Sequence, residues 1–189
     1  EPEMVAALGE ALPEYRWQLA WTSIVSAASI SAAIALTPLP VIDFIPLTIT
    51  QAVMVVGIAR VFNVKTTLKV ATDLVTTFGL GMLARTLFRE LSRLGGIPGW
   101  LLGAALAAST TIVMGYAAIL WFEKGQKLSP TAMKQLTQEF TKYMLEILKG
   151  FGKHKPTKDE LYARINQSLE ESPLASSRSS LDKEVSDLD

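Results

Sequence analysis

Charge is absent from two long runs that meet at one corner. No residue from Trp17 to Ile42 is charged at neutral pH, none from Phe44 to Ala59 is, and Asp43 alone separates them. Pro38, Pro40 and Pro46 bracket that carboxylate. Proline lacks a backbone donor, clashes with the preceding helical turn and biases the residue before it away from the α region, so these three cannot share one regular helix. The pattern predicts two apolar helices, from near Glu14 to about Leu36 and from Pro46 or Leu47 to Phe62, joined by a tight proline corner with Asp43 near its tip.

Farther along, the periodicity changes. Val70, Ala71, Leu74, Val75, Phe78, Met82 and Leu83 recur at steps of three and four, which predicts a single one-faced helix from about Thr66 to Leu94. Arg85, Arg89 and Arg93 form a basic stripe on its second half. Gly95-Gly96-Ile97-Pro98 reads as a stop and a restart. Gly99 to Phe122 is then free of charge, with Trp100 at one end and Tyr116, Trp121 and Phe122 toward the other. Its Gly103, Ala107 and Thr111 form a ridge of small residues suited to docking on the first helix. Ser129-Pro130 opens an amphipathic helix with Met133, Leu136, Phe140 and Met144 on one face, and a shorter one, Lys158 to Leu169, shows Leu161, Ile165 and Leu169. The division that follows is a lead segment over 1–14, an apolar helical membrane domain over 15–127, amphipathic C-terminal helices over 128–170, and a polar tail over 171–189 whose composition predicts disorder.

The length of these runs raises the question of solvent. About 20 helical residues span ~30 Å, the thickness of a hydrocarbon core. The first helix is rich in Ser and Ala, which let helices approach closely in lipid, and Arg16, Trp17 and Trp21 crowd its start as at a headgroup boundary. The second helix is short for a straight crossing, so it either returns by a tilted path or forms a wedge entering from one side. Arg60, Lys65 and Lys69 follow it while the corner has no Lys or Arg, an asymmetry that places both ends of the hairpin on the cytoplasmic side. Four full crossings would carry Arg85–Arg93 to the outer side, so the third helix is read as interfacial or packed within the bundle. Its stripe could meet anionic lipid, or be a solvated face with Glu90 as partner. The fold expected is an all-α, membrane-associated bundle, placed in a cytoplasmic (inner) or thylakoid membrane.

Composition narrows the chemistry. Hydrophobic residues make up 49% of the chain, which is high for a water-soluble domain. Lys plus Arg balances Asp plus Glu at 18 each, which argues against nucleic acid as a partner. One histidine and no cysteine exclude a zinc site, a disulfide framework and a thiol nucleophile. Gly79-Leu80-Gly81 lacks the Lys-Ser/Thr of a phosphate loop. Asp43 could be an intramembrane ligand, but a helix N-cap is the simpler role. Asp73 is read as an ion-pair partner of Lys69 or of another cation, and His154 as exposed and inert. No catalytic residue, metal or cofactor is expected. The first apolar run starts too late for a signal peptide, and a chain opening on Glu1 reads as a fragment or processed piece.

The corner also carries a family resemblance. Pro38-Leu39-Pro40, Asp43, Pro46, Gln51, Met54, Arg60 and the close Phe62-Asn63-Val64 resemble the signature of the bacterial domain of unknown function 697. The chain departs from it at Asn63-Val64, where the family commonly has a glycine. The resemblance, over about residues 15–125, implies a helical membrane-associated domain, often C-terminal to a Ras-like GTPase domain, with no established catalytic residues. The function expected is a non-catalytic membrane anchor coupled to a GTPase in cis or in trans, homo-oligomeric or not. Its rivals are a transport or pore protein with Asp43 and Asp73 lining the path, and a soluble lipid-binding bundle.

Overall fold

The computed structural model describes residues 15–36, 44–77, 80–93, 96–152 and 154–171, with the isolated positions 4, 7 and 11. Among the described residues it is all helical: α1 (Arg16–Ala35), α2 (Phe44–Val61), α3 (Leu68–Thr77), α4 (Leu80–Ser92), α5 (Gly99–Lys124), α6 (Pro130–Lys149) and α7 (Lys158–Glu170). The lead segment, apart from those isolated positions, and the tail beyond residue 171 lie outside the described residues.

Helix α5, uncharged from Gly99 to Phe122, is the axis of the bundle. Helices α1, α2, α4 and α6 pack around it, α3 lies on α2, and α7 covers α1 and touches α6. From Leu101 to Leu120 nearly every α5 residue is buried. Small residues make this possible, because a helix can be enclosed on all sides only where neighbouring backbones come close. The expected ridge is the α1 contact: a Cβ on Gly103 would stand 3.7 Å from the Ala35 carbonyl, and one on Gly115 would strike Ile24. At the other end the Trp17 and Tyr116 rings meet edge to face with centroids 6.3 Å apart. Helices α1 and α5 therefore run antiparallel, with the start of α5 beside the end of α1. The buried hydroxyls of Ser109, Thr110 and Thr111 bond to the carbonyls of Ala105, Leu106 and Ala107 one turn back, so they enter the core without orphaned donors.

The helix expected from Thr66 to Leu94 is described as α3 and α4, with residues 78 and 79 between them outside the described residues. Helix α3 turns Ala71 and Val75 into the main core beside α2, whereas α4 turns Leu87 onto Leu102 and Leu106 of α5. Two helices serving two partners need not share one face. Of the two readings of this segment, interfacial or packed within the bundle, the seating of Leu87 against Leu102 and Leu106 fits the second. Elsewhere the boundary signals act as expected. Ser129 accepts a hydrogen bond from the Ala132 amide at 3.1 Å ahead of Pro130, and Thr157 and Glu160 form a reciprocal capping box for α7.

The aromatic start of α1 differs from expectation. Trp17 and Trp21 stack with centroids 5.8 Å apart and are buried, and the Trp21 indole N–H donates to the Leu169 carbonyl at 3.3 Å. The last turn of α7 lies over them, where a lipid headgroup zone was anticipated.

Candidate functional site

The proline-cornered hairpin is the natural place to look. Its corner, with Pro38, Pro40 and Asp43, lies outside the described residues, so the roles expected of them have no structural counterpart here. Pro46 sits in the first turn of α2, where a missing N–H costs nothing. One turn on, Gln51 is buried and its Nε2 donates to the Thr111 hydroxyl at 3.2 Å. The Thr111 and Ser31 hydroxyls are 2.9 Å apart. Three polar side chains from α1, α2 and α5 thus meet in an apolar interior and fix the register of those helices. The family-like Gln51 is a structural residue of this junction. Met54, also from that signature, is buried and faces the glycine notch at Gly115, where its sulfur would lie 3.3 Å from an added Cβ.

Helix α2 closes in a Schellman turn. The Val64 amide donates to the Ala59 carbonyl at 2.8 Å and the Asn63 amide to the Arg60 carbonyl at 3.0 Å. Asn63 takes φ of 57°, left-handed backbone that asparagine tolerates better than most residues. The departure from glycine at this position is therefore conservative in conformation.

The remaining site residues stand apart. Arg60 is exposed in the last turn of α2, and Asp73 is exposed on α3, at the surface of the bundle. Arg85 and Arg89 are exposed on the side of α4 turned away from Leu87, and Arg93 is exposed just past its end. Among the described candidate residues, Gln51 is the one that enters the core.

Two features escaped the sequence. One is the polar junction, whose members are far apart in the chain. The other is the outer face of α2, where Ile45, Ile49 and Val53 are exposed at four-residue spacing. Helix α2 reads as apolar all round, so its exposed side could not be told from its buried one. Helix α6 is different: Lys134, Glu139, Lys142, Glu146 and Lys149 are all exposed along it, and Lys149 pairs with Glu146. Among the described residues, α1 and α5 are the two helices long and apolar enough to cross a membrane, and no group of three His, Asp or Glu is placed to hold a metal.

No curated protein and no solved structure matches the chain. A family model does: that of the domain of unknown function DUF697, over residues 6–149. The match runs from the lead segment through α6 and ends at the last residue of that helix, leaving α7 beyond it. With most of its length so matched, the chain belongs to the DUF697 family.

Proposed function

We propose that this chain is a non-catalytic, membrane-interacting helical domain that holds a GTPase, in cis or in trans, at a lipid surface. The observation that carries the reading is the one-sided distribution of charge. A bundle built for water alone exposes charge all round, whereas α1 and α2 have none between Trp17 and Ala35 or between Phe44 and Ala59. The two helices long and apolar enough to cross a membrane add support. The GTPase is inferred from the family resemblance.

Flotation of the purified chain with lipid vesicles tests the reading. Co-migration with vesicles, and loss of solubility when detergent is removed in their absence, are the results expected. A chain that stays in the dense fraction with every lipid and is monodisperse in plain buffer would defeat it. The near-complete burial of α5 would then mark an ordinary water-soluble bundle. For the GTPase, the expected outcome is that the GTPase domain encoded with or beside this chain co-floats only when the chain is present.

A further inference from the structure

The outer face of α2 has a chemical gradient along it. Ile45, Ile49 and Val53 are 63%, 52% and 56% exposed. At 100° per residue they share one side of the helix, and the same side reaches Arg60, also exposed. The turn beyond brings Lys65 and the start of α3 brings Lys69, both exposed. An aliphatic stripe of roughly 12 Å thus ends in three cations. Helix α2 packs on α1, α3 and α5, and the charged helix α6 on α5 and α7.

We propose that this face docks on a single leaflet of a bilayer containing anionic lipid, and that the bundle does not cross it. The proposal rests on the membrane reading above and names its surface and its lipid chemistry. Helix α2 would lie in the headgroup–acyl boundary, where an apolar stripe sinks ~5–10 Å, with Arg60, Lys65 and Lys69 on lipid phosphates. A crossing along α1 and α5 is opposed by α6, whose exposed charges from Lys134 to Lys149 cover roughly 22 Å of axis and would enter hydrocarbon. A second copy is a poorer occupant. Parallel stripes would set Arg60 against Arg60, and antiparallel ones would press it on Ile45.

The chain has no cysteine, so a label can be placed at one chosen position. An environment-sensitive fluorophore on Ile49→Cys should shift to the blue and become shielded from an aqueous quencher with phosphatidylcholine–phosphatidylglycerol vesicles. The same label on Glu139→Cys of α6 should not respond. Ile49→Glu should lower vesicle partitioning about tenfold or more, with helicity and Tm unchanged because the side chain is exposed. Lys65→Gln with Lys69→Gln should lower partitioning into the anionic vesicles roughly fivefold per cation and leave that into pure phosphatidylcholine unaltered. Shielding at position 139 would mean crossing and overturn the proposal. So would Ile49→Glu binding like the parent, equal partitioning into neutral and anionic vesicles, or a dimer in buffer that Ile49→Glu dissolves. Failure to bind any vesicle would instead remove the membrane reading beneath it.

Discussion

Helices α5 and α2 look alike in hydropathy and have opposite surroundings. Both lack charge over almost their whole length, yet α5 is enclosed by α1, α2, α4 and α6 while α2 leaves three large aliphatic side chains in the open. The difference lies in side-chain size. Along α5, Gly103, Ala104, Ala105, Ala107, Ala108 and Ser109 give a thin cylinder that neighbours can approach from every side. Along α2, Ala52 and Ala59 are buried on the inner side, and the outer side carries Ile45, Ile49 and Val53. A hydropathy window adds these up and loses the distinction. What it reports is that a helix avoids water, not whether protein or lipid takes water's place.

The comparison breaks most visibly under truncation of one isoleucine in each helix. Ile112 of α5 is completely buried and Ile49 of α2 is 52% exposed. Ile112→Ala should destabilise the fold by about 2–5 kcal/mol, through lost transfer energy and the cavity left behind. Ile49→Ala should change it by no more than ~0.5 kcal/mol. Chemical denaturation of the two variants beside the parent measures both. Equal losses would mean that the outer face of α2 is covered in solution, which would end the distinction between the helices.

Glycine sharpens the same contrast by sign. A Cβ on Gly115 of α5 would strike Ile24 Cγ1 and lie 2.7 Å from its Cδ1, and Ile24 is itself fully buried. Gly115→Ala should cost about 1–3 kcal/mol, because the crowded side chain has no empty volume to enter. Gly57 of α2 has only the Ser23 hydroxyl near, at 3.8 Å, so Gly57→Ala should gain up to ~1 kcal/mol from helix propensity. The melting temperature should fall in the first variant and hold or rise in the second. The polar junction between these helices gives a third, comparable effect. Thr111→Val strands the Gln51 amide in the core at a cost of about 1–3 kcal/mol. Pairing it with Gln51→Leu should return part of that loss, and a double-mutant cycle reads the coupling.

How far the sequence speaks follows from which forces are local. Pro46 in the first turn of α2, Pro98 ahead of α5, the Ser129-Pro130 start and the Gly103–Ala107–Thr111 ridge are fixed within a few residues of chain, and each has its place among the described residues. The two different neighbours of the Thr66–Leu94 segment were hidden because α3 packs on α2 and α4 on α5, and one apolar period can satisfy either. Trp17 and Trp21 looked interfacial since aromatic crowding at a helix start does not reveal that α7, more than a hundred residues later, will cover it. Gln51 stood out in the family signature without its reason. Its partners Ser31 and Thr111 come from other helices, and a hydrogen bond across 60 residues leaves no trace in spacing.

Helix α7 offers the smallest and most local test, since it lies beyond the family match yet covers α1. The Thr157 amide donates to Glu160 Oε2 at 2.8 Å and the Thr157 hydroxyl to the same oxygen at 3.0 Å. The backbone bond first, and the hydroxyl bond after it, hold the Glu160 carboxyl below its ordinary value of 4.5. A carboxyl depressed in the folded state stabilises it above the unfolded pKa, and that contribution disappears as pH falls through the folded one. Glu160→Gln keeps an acceptor for the capping box but gives up the charge at the helix N-terminus. At neutral pH the variant should therefore melt slightly lower than the parent and show faster amide exchange in the first turn of α7. The two should converge as pH drops from about 4.5 downward, where the parent's carboxyl takes up its proton. A gap that stayed constant through that range would mean that the charge of Glu160 does not hold α7 in place. The cover over Trp21 would then depend on the apolar contacts of Leu161, Ile165 and Leu169.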